Sequence, residues 1–515
     1  MDSNILTPAE FSADVVVIGG GASGLPAAVR AAESGAKKVV LLEKRKMLGG
    51  MGRIPAGLFA VESPAQKRLG IHHTADELFK IHMTQSVWMC DARLVRTWFS
   101  GTAELVGWLE EKGMVFSVAD EPLKLVHQAQ GNPLRTGNAI INILVEACEK
   151  NGVQVFTETR ARKLMVDADG NVIGVVATHK DKELKINAPS VIIATGPISG
   201  NMDLMHRFYP NVDFENIKII TNLPQNTGDG LIMAEEAGAT KEALISSLWI
   251  GPGNHKMNMS ATNVARRPHM IWVNSDGMRF ADETLFTSHP YGFSWLAGFT
   301  QDLQPGKVSY ALMDHKILRD MIEKGENIYD MERLASELVD DEEAMASGID
   351  RKTGPELREK NPTAWLSKLE DAIESEAKKG NVKIAGAWEE IADWMGADTA
   401  VLQATIEQYN SYCKDGHDAD FLKPQEWLLP LSTAPYYAFK GGQGLDAAFG
   451  GIRINYRMQV LNEQLKPIGG LYAAGAGTSG WLGPGFTFGC GAMGFSVFSG
   501  YAAGRNAAEK TSSRP

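Results

Sequence analysis

Two short apolar runs, separated by a predicted helix, lie near the start of the chain. Residues 15–18 read Val-Val-Val-Ile, and a run without polar positions predicts a strand buried on both faces of a parallel sheet. Residues 22–34 are predicted to form the helix that follows, and residues 39–42 form the second apolar run. The pattern therefore predicts two parallel strands joined by a helix.

Three glycines between the first strand and the helix have separate physical tasks. Gly19 permits a tight turn, Gly21 lets the backbone approach a pyrophosphate, and Gly24 lets the helix pack on the strand. The N-terminus of the helix directs unpaired N–H groups and a partial positive charge at phosphates. Glu43 ends the second run, where its carboxylate can accept hydrogen bonds from ribose hydroxyls. Together these features form a dinucleotide-binding fingerprint, and FAD is the first cofactor to consider.

Helices and strands continue to alternate after the fingerprint. Helical patterns cover residues 92–113 and 138–151, and residues 153–157 predict a strand. Residues 163–179 contain two short strands around a turn and predict a hairpin. Residues 190–196, Ser-Val-Ile-Ile-Ala-Thr-Gly, predict another buried strand. Its carboxyl end is where open α/β sheets bind ligands.

Two later segments return to glycine turns. Residues 226–230, Asn-Thr-Gly-Asp-Gly, open a predicted helix and suit phosphate or ribose contact, although a plain helix cap is the alternative interpretation. Residues 469–475, Gly-Gly-Leu-Tyr-Ala-Ala-Gly, again read as a strand followed by glycine, and residues 487–503 predict a helix of small residues. Both ends of the chain are therefore expected to build one nucleotide-binding domain.

The stretch between these segments has a different composition. Residues 241–434 contain charged amphipathic helices and predict an inserted domain. The expected fold class is α/β, with a Rossmann-like FAD-binding domain at residues 1–240 and 435–515 interrupted by an α+β capping domain at 241–434. A chain of 515 residues exceeds what one hydrophobic core usually supports, which agrees with two domains.

Composition narrows the possible partners. With 44% hydrophobic residues and a net charge of −11, the chain is ordinary for a soluble globular protein and unsuited to nonspecific nucleic-acid binding. The four cysteines are Cys90, Cys148, Cys413 and Cys490. Their spacing matches no zinc, iron–sulfur or c-type haem motif, so no metal site is expected. Because neither a secretory signal nor an apolar run of about eighteen residues occurs, we expect a cytoplasmic protein without a membrane segment.

Seven motifs together are similar to those of a known family. They are VVVIGGGASG at 15–24, LLEKRKMLGG at 41–50, ATG at 194–196, NTGDG at 226–230, VNSDGMRFADE at 273–283, TAPYYAFK at 433–440 and GGLYAAG at 469–475. They resemble the flavoprotein subunits of fumarate reductase and succinate dehydrogenase, with their relatives the 3-ketosteroid dehydrogenases. The resemblance implies bound FAD, a capping domain, and hydride exchange between flavin N5 and a carbon–carbon bond activated by a neighbouring carbonyl.

The fingerprint and the resemblance give a set of predicted FAD-binding residues. These are Gly19, Gly21, Ala22, Ser23, Gly24, Glu43, Lys44, Gly49, Gly50, Met51, Gly52, Ala56, Gly57, Ala161, Ala194, Thr195, Gly196, Thr227, Gly228, Asp229, Gly475, Ala476, Phe488 and Gly489. In membrane-bound members of the family, a histidine just after the glycine pair anchors the flavin covalently. This chain has Met51 in that neighbourhood, so we expect noncovalent FAD.

Dicarboxylate-reducing relatives hold their substrate with several charged groups, and most of the corresponding positions differ here. Their histidine-proline step falls at Gly251, their glutamate at Asn263 and their catalytic arginine near Thr287. Their histidine pair begins at Asp446, while Arg266 matches one remaining arginine. A site for two carboxylates needs those cations, so the resemblance disfavours fumarate and succinate as substrates.

The C-terminal segment is more similar to the 3-ketosteroid dehydrogenases. Residues 482–489 match their GPGxTxG pattern, and Tyr436, Tyr437 and Asp446 match a PYYA step with a following aspartate. A tyrosine hydroxyl can donate to a carbonyl oxygen or relay a proton, and loop amides can stabilise an enolate. The predicted catalytic residues are Tyr437, Tyr436, Asp446 and Arg266. The structural alternatives are packing for the two tyrosines, a turn residue for Asp446 and a surface cation for Arg266.

The expected activity is hydride exchange between FAD and a ketosteroid-like enone or ketone, in either direction. One rival is a fumarate- or acrylate-type enoate reductase, in which Arg266 and Arg279 seat a single carboxylate. A second rival is a noncatalytic electron-transfer subunit, which the long insertion disfavours. The expected partners are a small organic substrate and an external electron donor or acceptor, since no second GxGxxG fingerprint occurs. The substrate, the direction, the proton-handling residue and the oligomeric state stay open.

Overall fold

A computed structural model of the chain describes residues 10–119, 123–210, 212, 214, 224–240, 245–249, 257, 259–286, 295–324, 369–442, 445–483 and 488–512. The chain divides into two compact units. Unit 1 comprises Met1–Asn211, Asn222–Ser247 and Ala448–Pro515, and unit 2 comprises Val212–Thr221 and Leu248–Ala447.

Strands and helices are interspersed along the described parts of the chain. The strands are β1 Glu10–Ser12, β2 Val15–Ile18, β3 Val39–Leu42, β4 Leu58–Phe59, β5 Phe116–Val118, β6 Val126–Ala129, β7 Gln154–Phe156, β8 Thr159–Val166, β9 Val172–His179, β10 Lys182–Asn187, β11 Ser190–Ile193, β12 Ile245–Trp249, β13 Ile271–Asn274, β14 Ser309–Asp314, β15 Val382–Ala385, β16 Tyr436–Gly441, β17 Leu445–Gly450, β18 Ile452–Arg453, β19 Gln459–Leu461, β20 Pro467–Ala473 and β21 Thr478–Ser479. The helices are α1 Gly24–Glu33, α2 Pro64–Arg68, α3 Ala75–Gln85, α4 Ala92–Glu111, α5 Thr136–Lys150, α6 Met202–Phe208, α7 Asp229–Glu236, α8 Met259–Ala265, α9 Trp295–Asp302, α10 His315–Lys324, α11 Leu369–Lys378, α12 Trp388–Met395, α13 Thr399–Asp415 and α14 Gly491–Ser512.

The main sheet of unit 1 has the strand order β19-β20-β11-β2-β3-β7. Strands β20, β11, β2, β3 and β7 pair in parallel, and β19 is antiparallel at one edge. All residues of β2 and β3 are buried, because both faces of a parallel sheet are covered. The expected α/β class with a Rossmann-like order of strands is confirmed.

Helices α1 and α14 pack so closely that side chains do not fit between them at certain positions. A Cβ atom on Gly500 would overlap the carbonyl oxygen of Ser23, and one on Gly504 would overlap that of Ala27. Glycine therefore allows the two backbones to touch. Among the described residues, no helix combines the length and the apolar character that a membrane crossing requires.

Three smaller sheets of the described residues lie wholly in unit 1, with the orders β1-β10-β9-β8, β4-β6-β5 and β18-β21. Strands β8 and β9 are antiparallel and form the predicted hairpin. The helical patterns predicted at 92–113 and 138–151 correspond to α4 and α5. Helix α4 begins after Asp91, whose carboxylate accepts hydrogen bonds from the N–H groups of Arg93 and Leu94.

Unit 2 is built on an antiparallel sheet with the order β13-β14-β16-β15. The predicted boundary assigned residues 435–447 to the FAD-binding domain, and here the structure differs. Strand β16 pairs along its whole length with β14 and over Tyr436–Phe439 with β15, so its partner strands lie inside unit 2. A cis peptide bond joins Ala434 to Pro435 just before this strand. The proline step therefore lies within unit 2.

A buried ionic cluster holds together distant segments of unit 2. It consists of Arg279, Glu283, Asp418 and Lys423. The Arg279 guanidinium lies 3.0 Å from the Glu283 carboxylate and 2.9 Å from the Asp418 carboxylate. The Lys423 ammonium lies 3.3 Å from the Glu283 carboxylate. The four formal charges cancel, which is what burial of ionised groups requires.

We predict that Glu283→Gln destabilises the protein by about 3 kcal/mol, because it leaves two buried cations with one carboxylate. Chemical denaturation of the holoprotein measures the change in the free energy of unfolding. The matched control is Glu323→Gln, since Glu323 forms an exposed pair with Arg319 at 3.6 Å and its loss costs less than about 1 kcal/mol. Equal stability losses for the two variants would contradict the importance of the buried cluster.

Candidate cofactor site

The turn between β2 and α1 is fixed by backbone contacts that exclude side chains. Gly19 has φ of 104°, and a Cβ atom there would overlap the carbonyl oxygen of Ala194. A Cβ atom on Gly24 would overlap the carbonyl oxygen of Gly19. These contacts set the start of α1 directly at the carboxyl end of β2, where the N–H groups of its first turn can meet an anion.

Gly21 has different surroundings from its neighbours. A Cβ atom on Gly21 would lie 3.7 Å from the carbonyl oxygen of Gly49, which is the nearest protein atom. Gly21 and Gly49 form an isolated parallel bridge, and the Gly49 N–H donates to the Gly20 carbonyl at 2.7 Å. A Cβ atom on Gly50 would have no protein atom within 4 Å. The two glycine turns therefore lie side by side with open space next to them, as the approach of a pyrophosphate requires.

Glu43 is held in place by backbone donors. Its Oε2 accepts a hydrogen bond from the Gly20 N–H at 2.8 Å, and its Oε1 accepts one from the Arg45 N–H at 2.9 Å. Each carboxylate oxygen keeps a further lone pair for a hydroxyl donor. This arrangement suits a carboxylate that receives hydrogen bonds from ribose hydroxyls.

An ionic cluster next to Glu43 includes four side chains from separate strands and turns. Lys44 Nζ lies 2.8 Å from Thr227 Oγ1 and 3.1 Å from Asp229 Oδ2. Arg160 Nη2 lies 2.7 Å from Asp229 Oδ1. Burial raises the pKa of Asp229, but hydrogen bonds from Arg160 and Thr227 and the charge of Lys44 outweigh it and lower the pKa overall. Asp229 is therefore a stable anion at the start of α7.

The carboxyl ends of β11 and β20 bring further predicted residues to the same edge of the sheet. The Ala194 N–H donates to the Ile18 carbonyl at 2.8 Å. The Gly475 N–H donates to Ser499 Oγ at 2.9 Å, which ties the turn after β20 to α14. Predicted cofactor residues from both ends of the chain thus meet at the edge that binds ligands in open α/β sheets.

The remaining predicted cofactor residues also have defined neighbours in unit 1. A Cβ atom on Gly57 would lie 3.0 Å from Cys490 Sγ, so the turn at Ala56 and Gly57 adjoins the segment that contains Phe488 and Gly489. The thioether sulfur of Met51 lies 2.9 Å from Asn226 Nδ2. A thioether is not the imidazole that anchors flavin in covalent relatives.

The residues fit a dinucleotide cofactor. The open side of Gly21, the start of α1 and the fixed carboxylate of Glu43 supply a pyrophosphate contact and a ribose contact in register. Sequence reasoning missed Arg160, because it is an exposed strand residue that belongs to no recognised motif. It also omitted Asn226, although this residue begins the recognised NTGDG motif.

The predicted catalytic tyrosines point to opposite faces of one strand. Tyr436 and Tyr437 are neighbours in β16, and successive side chains in a strand alternate between faces. The Tyr437 hydroxyl lies 3.1 Å from His315 Nδ1. Tyr436 instead stacks on Trp388 with ring centroids 4.1 Å apart. The two tyrosines therefore cannot both reach the same side of this sheet, and His315 is a neighbour that sequence reasoning missed.

The structure describes only some of the other predicted substrate-site residues. Arg266 is buried just after α8. Asp446 is part of β17, but its side chain lies outside the described structure. Gly251 and Thr287 also lie outside the described residues, as does the Asn263 side chain.

Arg279, the residue that the rival enoate-reductase interpretation uses to seat a carboxylate, has two carboxylate partners within unit 2. Its guanidinium is 4% exposed and already binds Glu283 and Asp418 in unit 2. The two carboxylates accept four hydrogen bonds from the guanidinium. Burial lowers the pKa of Arg279, but the two carboxylates outweigh it and raise the pKa overall. Sequence reasoning could not see this, because Asp418 is 139 residues away from Arg279 along the chain.

The fold and the site together define a flavin-dependent oxidoreductase of the Rossmann type. Residues 14–491 match the protein family described as FAD binding domain. The chain belongs to this family, and its cofactor is FAD.

Known proteins are similar to this chain over most of its length. Vinyl phenol reductase of Lactiplantibacillus plantarum is 28% identical over 520 residues, which cover 97% of this chain and 97% of the relative. Fumarate reductase (cytochrome) of Shewanella frigidimarina is 27% identical over 475 residues, which cover 91% of this chain and 72% of the relative. These relatives confirm the resemblance to fumarate reductase flavoproteins that the motifs indicated.

A solved structure has the same fold. The 3-ketosteroid-Δ4-(5α)-dehydrogenase from Rhodococcus jostii RHA1, in complex with 4-androstene-3,17-dione, superposes with a TM-score of 0.72 and 22% identity. The match covers 98% of this chain and 99% of the dehydrogenase. At this identity the similarity concerns the fold alone.

We predict that two glycine substitutions separate folding from cofactor binding. Gly21→Ala leaves the stability of the apoprotein unchanged, because the new Cβ has room, but raises the FAD dissociation constant at least about tenfold by keeping the pyrophosphate away. Gly24→Ala destabilises the apoprotein itself, by about 1–3 kcal/mol, through overpacking against Gly19. Flavin fluorescence titration and thermal unfolding of the apoprotein measure the two effects. Unchanged FAD affinity in Gly21→Ala would contradict the proposed position of the pyrophosphate.

Proposed function

We propose that this protein reduces a carbon–carbon double bond in an uncharged organic substrate. Support comes first from full-length similarity, since vinyl phenol reductase matches 97% of both chains and fumarate reductase matches 91% of this one. Bound FAD supplies the hydride at its N5 atom. The proposed substrate has its double bond conjugated to a carbonyl or a phenol, so that negative charge developing on hydride arrival is delocalised.

The uncharged nature of the substrate is argued from the charges of unit 2. In the rival interpretation, Arg266 and Arg279 are the two cations that bind a substrate carboxylate. Glu283 and Asp418 neutralise Arg279. Asn263 and Thr287 are uncharged where dicarboxylate-reducing relatives have ionisable groups. A carboxylate entering a buried site without a partner cation would lose its hydration with little compensation. The internal neutralisation of Arg279 is the observation that carries this proposal.

Tyr437 is the proposed proton donor. Burial raises the pKa of its hydroxyl, so the group keeps its proton at neutral pH and can donate it. His315 lies within hydrogen-bond distance of this hydroxyl, and the two rings stack with centroids 6.4 Å apart. The imidazole can therefore orient the hydroxyl and return a proton to it after turnover. Asp446 and Arg266 are the proposed alternatives to Tyr437 for supplying the one proton that accompanies the hydride.

Three further features complete the proposal. FAD is held noncovalently, because Met51 replaces the histidine of covalent relatives. The electrons come from an external donor, since the chain has no second nucleotide fingerprint. A steroid substrate has weaker support than a smaller alkene, because the ketosteroid dehydrogenase shares the fold at only 22% identity.

We predict that the photoreduced holoenzyme is reoxidised by neutral conjugated alkenes at least about ten times faster than by fumarate. Anaerobic stopped-flow absorbance at the flavin band provides the rates, with vinyl phenol, a cyclic enone, a ketosteroid, acrylate and fumarate as oxidants. Fumarate or acrylate as the fastest oxidant would overturn the assignment of an uncharged substrate. No reoxidation by any alkene would favour the electron-transfer alternative.

We predict that Tyr437→Phe leaves the flavin spectrum intact and lowers turnover about a hundredfold, because it removes the proposed proton donor. Tyr436→Phe is the matched control, since its side chain stacks on Trp388 at the opposite face of β16. Steady-state rates with the best alkene from the panel measure both variants. A rate for Tyr437→Phe equal to that of the control would remove Tyr437 from the mechanism.

A further inference from the structure

Unit 1 contains two buried histidines with different hydrogen bonding. His82 is 1% exposed and His127 is 0% exposed. Burial lowers the pKa of each to about 4, so both rings are neutral at pH 7. His127 uses both ring nitrogens, because Nε2 lies 2.6 Å from Ser63 Oγ and Nδ1 lies 3.1 Å from the Leu125 carbonyl. His82 uses only Nε2, and its Nδ1 has no partner among the described residues.

The one hydrogen bond of His82 fixes its tautomer. Nε2 lies 2.9 Å from the carbonyl oxygen of Trp481. A carbonyl oxygen only accepts, so Nε2 carries the proton and Nδ1 is a bare acceptor. Trp481 is itself fixed, since its indole N–H donates to the Thr478 carbonyl at 2.8 Å. His82 thus connects α3 to the segment after β21.

The faces and edges of the His82 ring make a second connection. The ring stacks on Phe488 with centroids 6.1 Å apart and an interplanar angle of 23°. Trp98 and Phe99 meet it edge-on, with centroids 6.0 and 5.4 Å away. His82 therefore contacts both Trp481 and Phe488, which are seven positions apart in the sequence.

Phe488 leads directly into the predicted flavin-contacting segment. Its ring also stacks on Phe59 with centroids 5.1 Å apart, and the Phe59 N–H donates to the Cys490 carbonyl at 3.3 Å. Helix α14 begins at the next residue, Gly491. Strand β4, the ring of Phe488 and the first turn of α14 are therefore in contact with one another, and His82 packs against the ring of Phe488.

We propose that His82 is a positioning residue for the flavin. Through Trp481 and Phe488 it sets the position of the start of α14, directly after the predicted flavin contacts Phe488 and Gly489, and N–H groups at a helix N-terminus favour negative charge such as that of a reduced flavin. The hydrogen bond gives a direction that packing alone would not give, because an aromatic ring without nitrogen could slide along Phe488. This inference requires bound FAD and does not depend on the identity of the alkene.

The test compares purified holoenzymes of His82→Phe, His82→Gln and His127→Phe. His82→Phe keeps an aromatic ring but loses the donor to Trp481, whereas the amide nitrogen of His82→Gln can replace Nε2. We expect His82→Phe to make the flavin midpoint potential more negative and to raise the FAD dissociation constant about tenfold, and His82→Gln to restore both. His127→Phe removes an equally buried imidazole whose ring bonds to Ser63 and to the Leu125 carbonyl do not involve Trp481 or α14, so it lowers the thermal unfolding temperature and leaves the potential unchanged.

Spectroelectrochemical titration and flavin fluorescence provide the potential and the dissociation constant. Loss of FAD from His82→Phe alone, with FAD retained by the other two variants, supports the proposal. An unchanged potential and affinity in His82→Phe would overturn it. Equal shifts in His82→Phe and His127→Phe would also overturn it, because they would show a general effect of core disruption.

Discussion

The close approach of backbones around α1 is the constraint on which the rest of unit 1 depends. Gly24 brings the first turn of α1 against the carbonyl of Gly19, and Gly500 and Gly504 let α14 touch the other side of α1. Any side chain at these positions would separate the helix from its neighbours by the width of a methyl group. The N-terminus of α1 would then no longer lie at the carboxyl end of β2. Backbone packing thus determines where the anion-binding N–H groups lie, and their electrostatic effect on an anion depends on that position.

The same constraint explains why the cofactor site needs both ends of the chain. Strands β2 and β3 supply the glycine turn and Glu43, but β20 and α14 come from the C-terminal segment and close the opposite side. The turn after β20 is tied to α14 by the hydrogen bond between the Gly475 N–H and Ser499. A long insertion between the two segments is tolerated because the parallel sheet, once formed, holds their ends in register.

The sequence revealed those parts of the molecule that obey local rules. Buried parallel strands appear as apolar runs, and glycines at fixed offsets mark a turn, so the fingerprint up to Glu43 could be predicted from the sequence. Contacts between distant segments could not be predicted in this way. Arg160 reaches Asp229 across 69 positions, and His315 reaches Tyr437 across 122. Nothing in the neighbouring residues encodes either pairing, and the sequence pattern that placed a domain boundary at residue 435 did not show that β16 pairs inside unit 2.

The two units differ in how exposed their ionic clusters are. Near the predicted adenosine end of the cofactor in unit 1, cations are partly exposed, and Asp229 draws Lys44 and Arg160 together there. In unit 2 the ionic groups are buried, and Glu283 and Asp418 neutralise Arg279 within the core. Arg279 already donates four hydrogen bonds to two buried carboxylates, and releasing it to bind a third anion would cost several kcal/mol. The proposed preference for uncharged substrates rests on this pairing within unit 2.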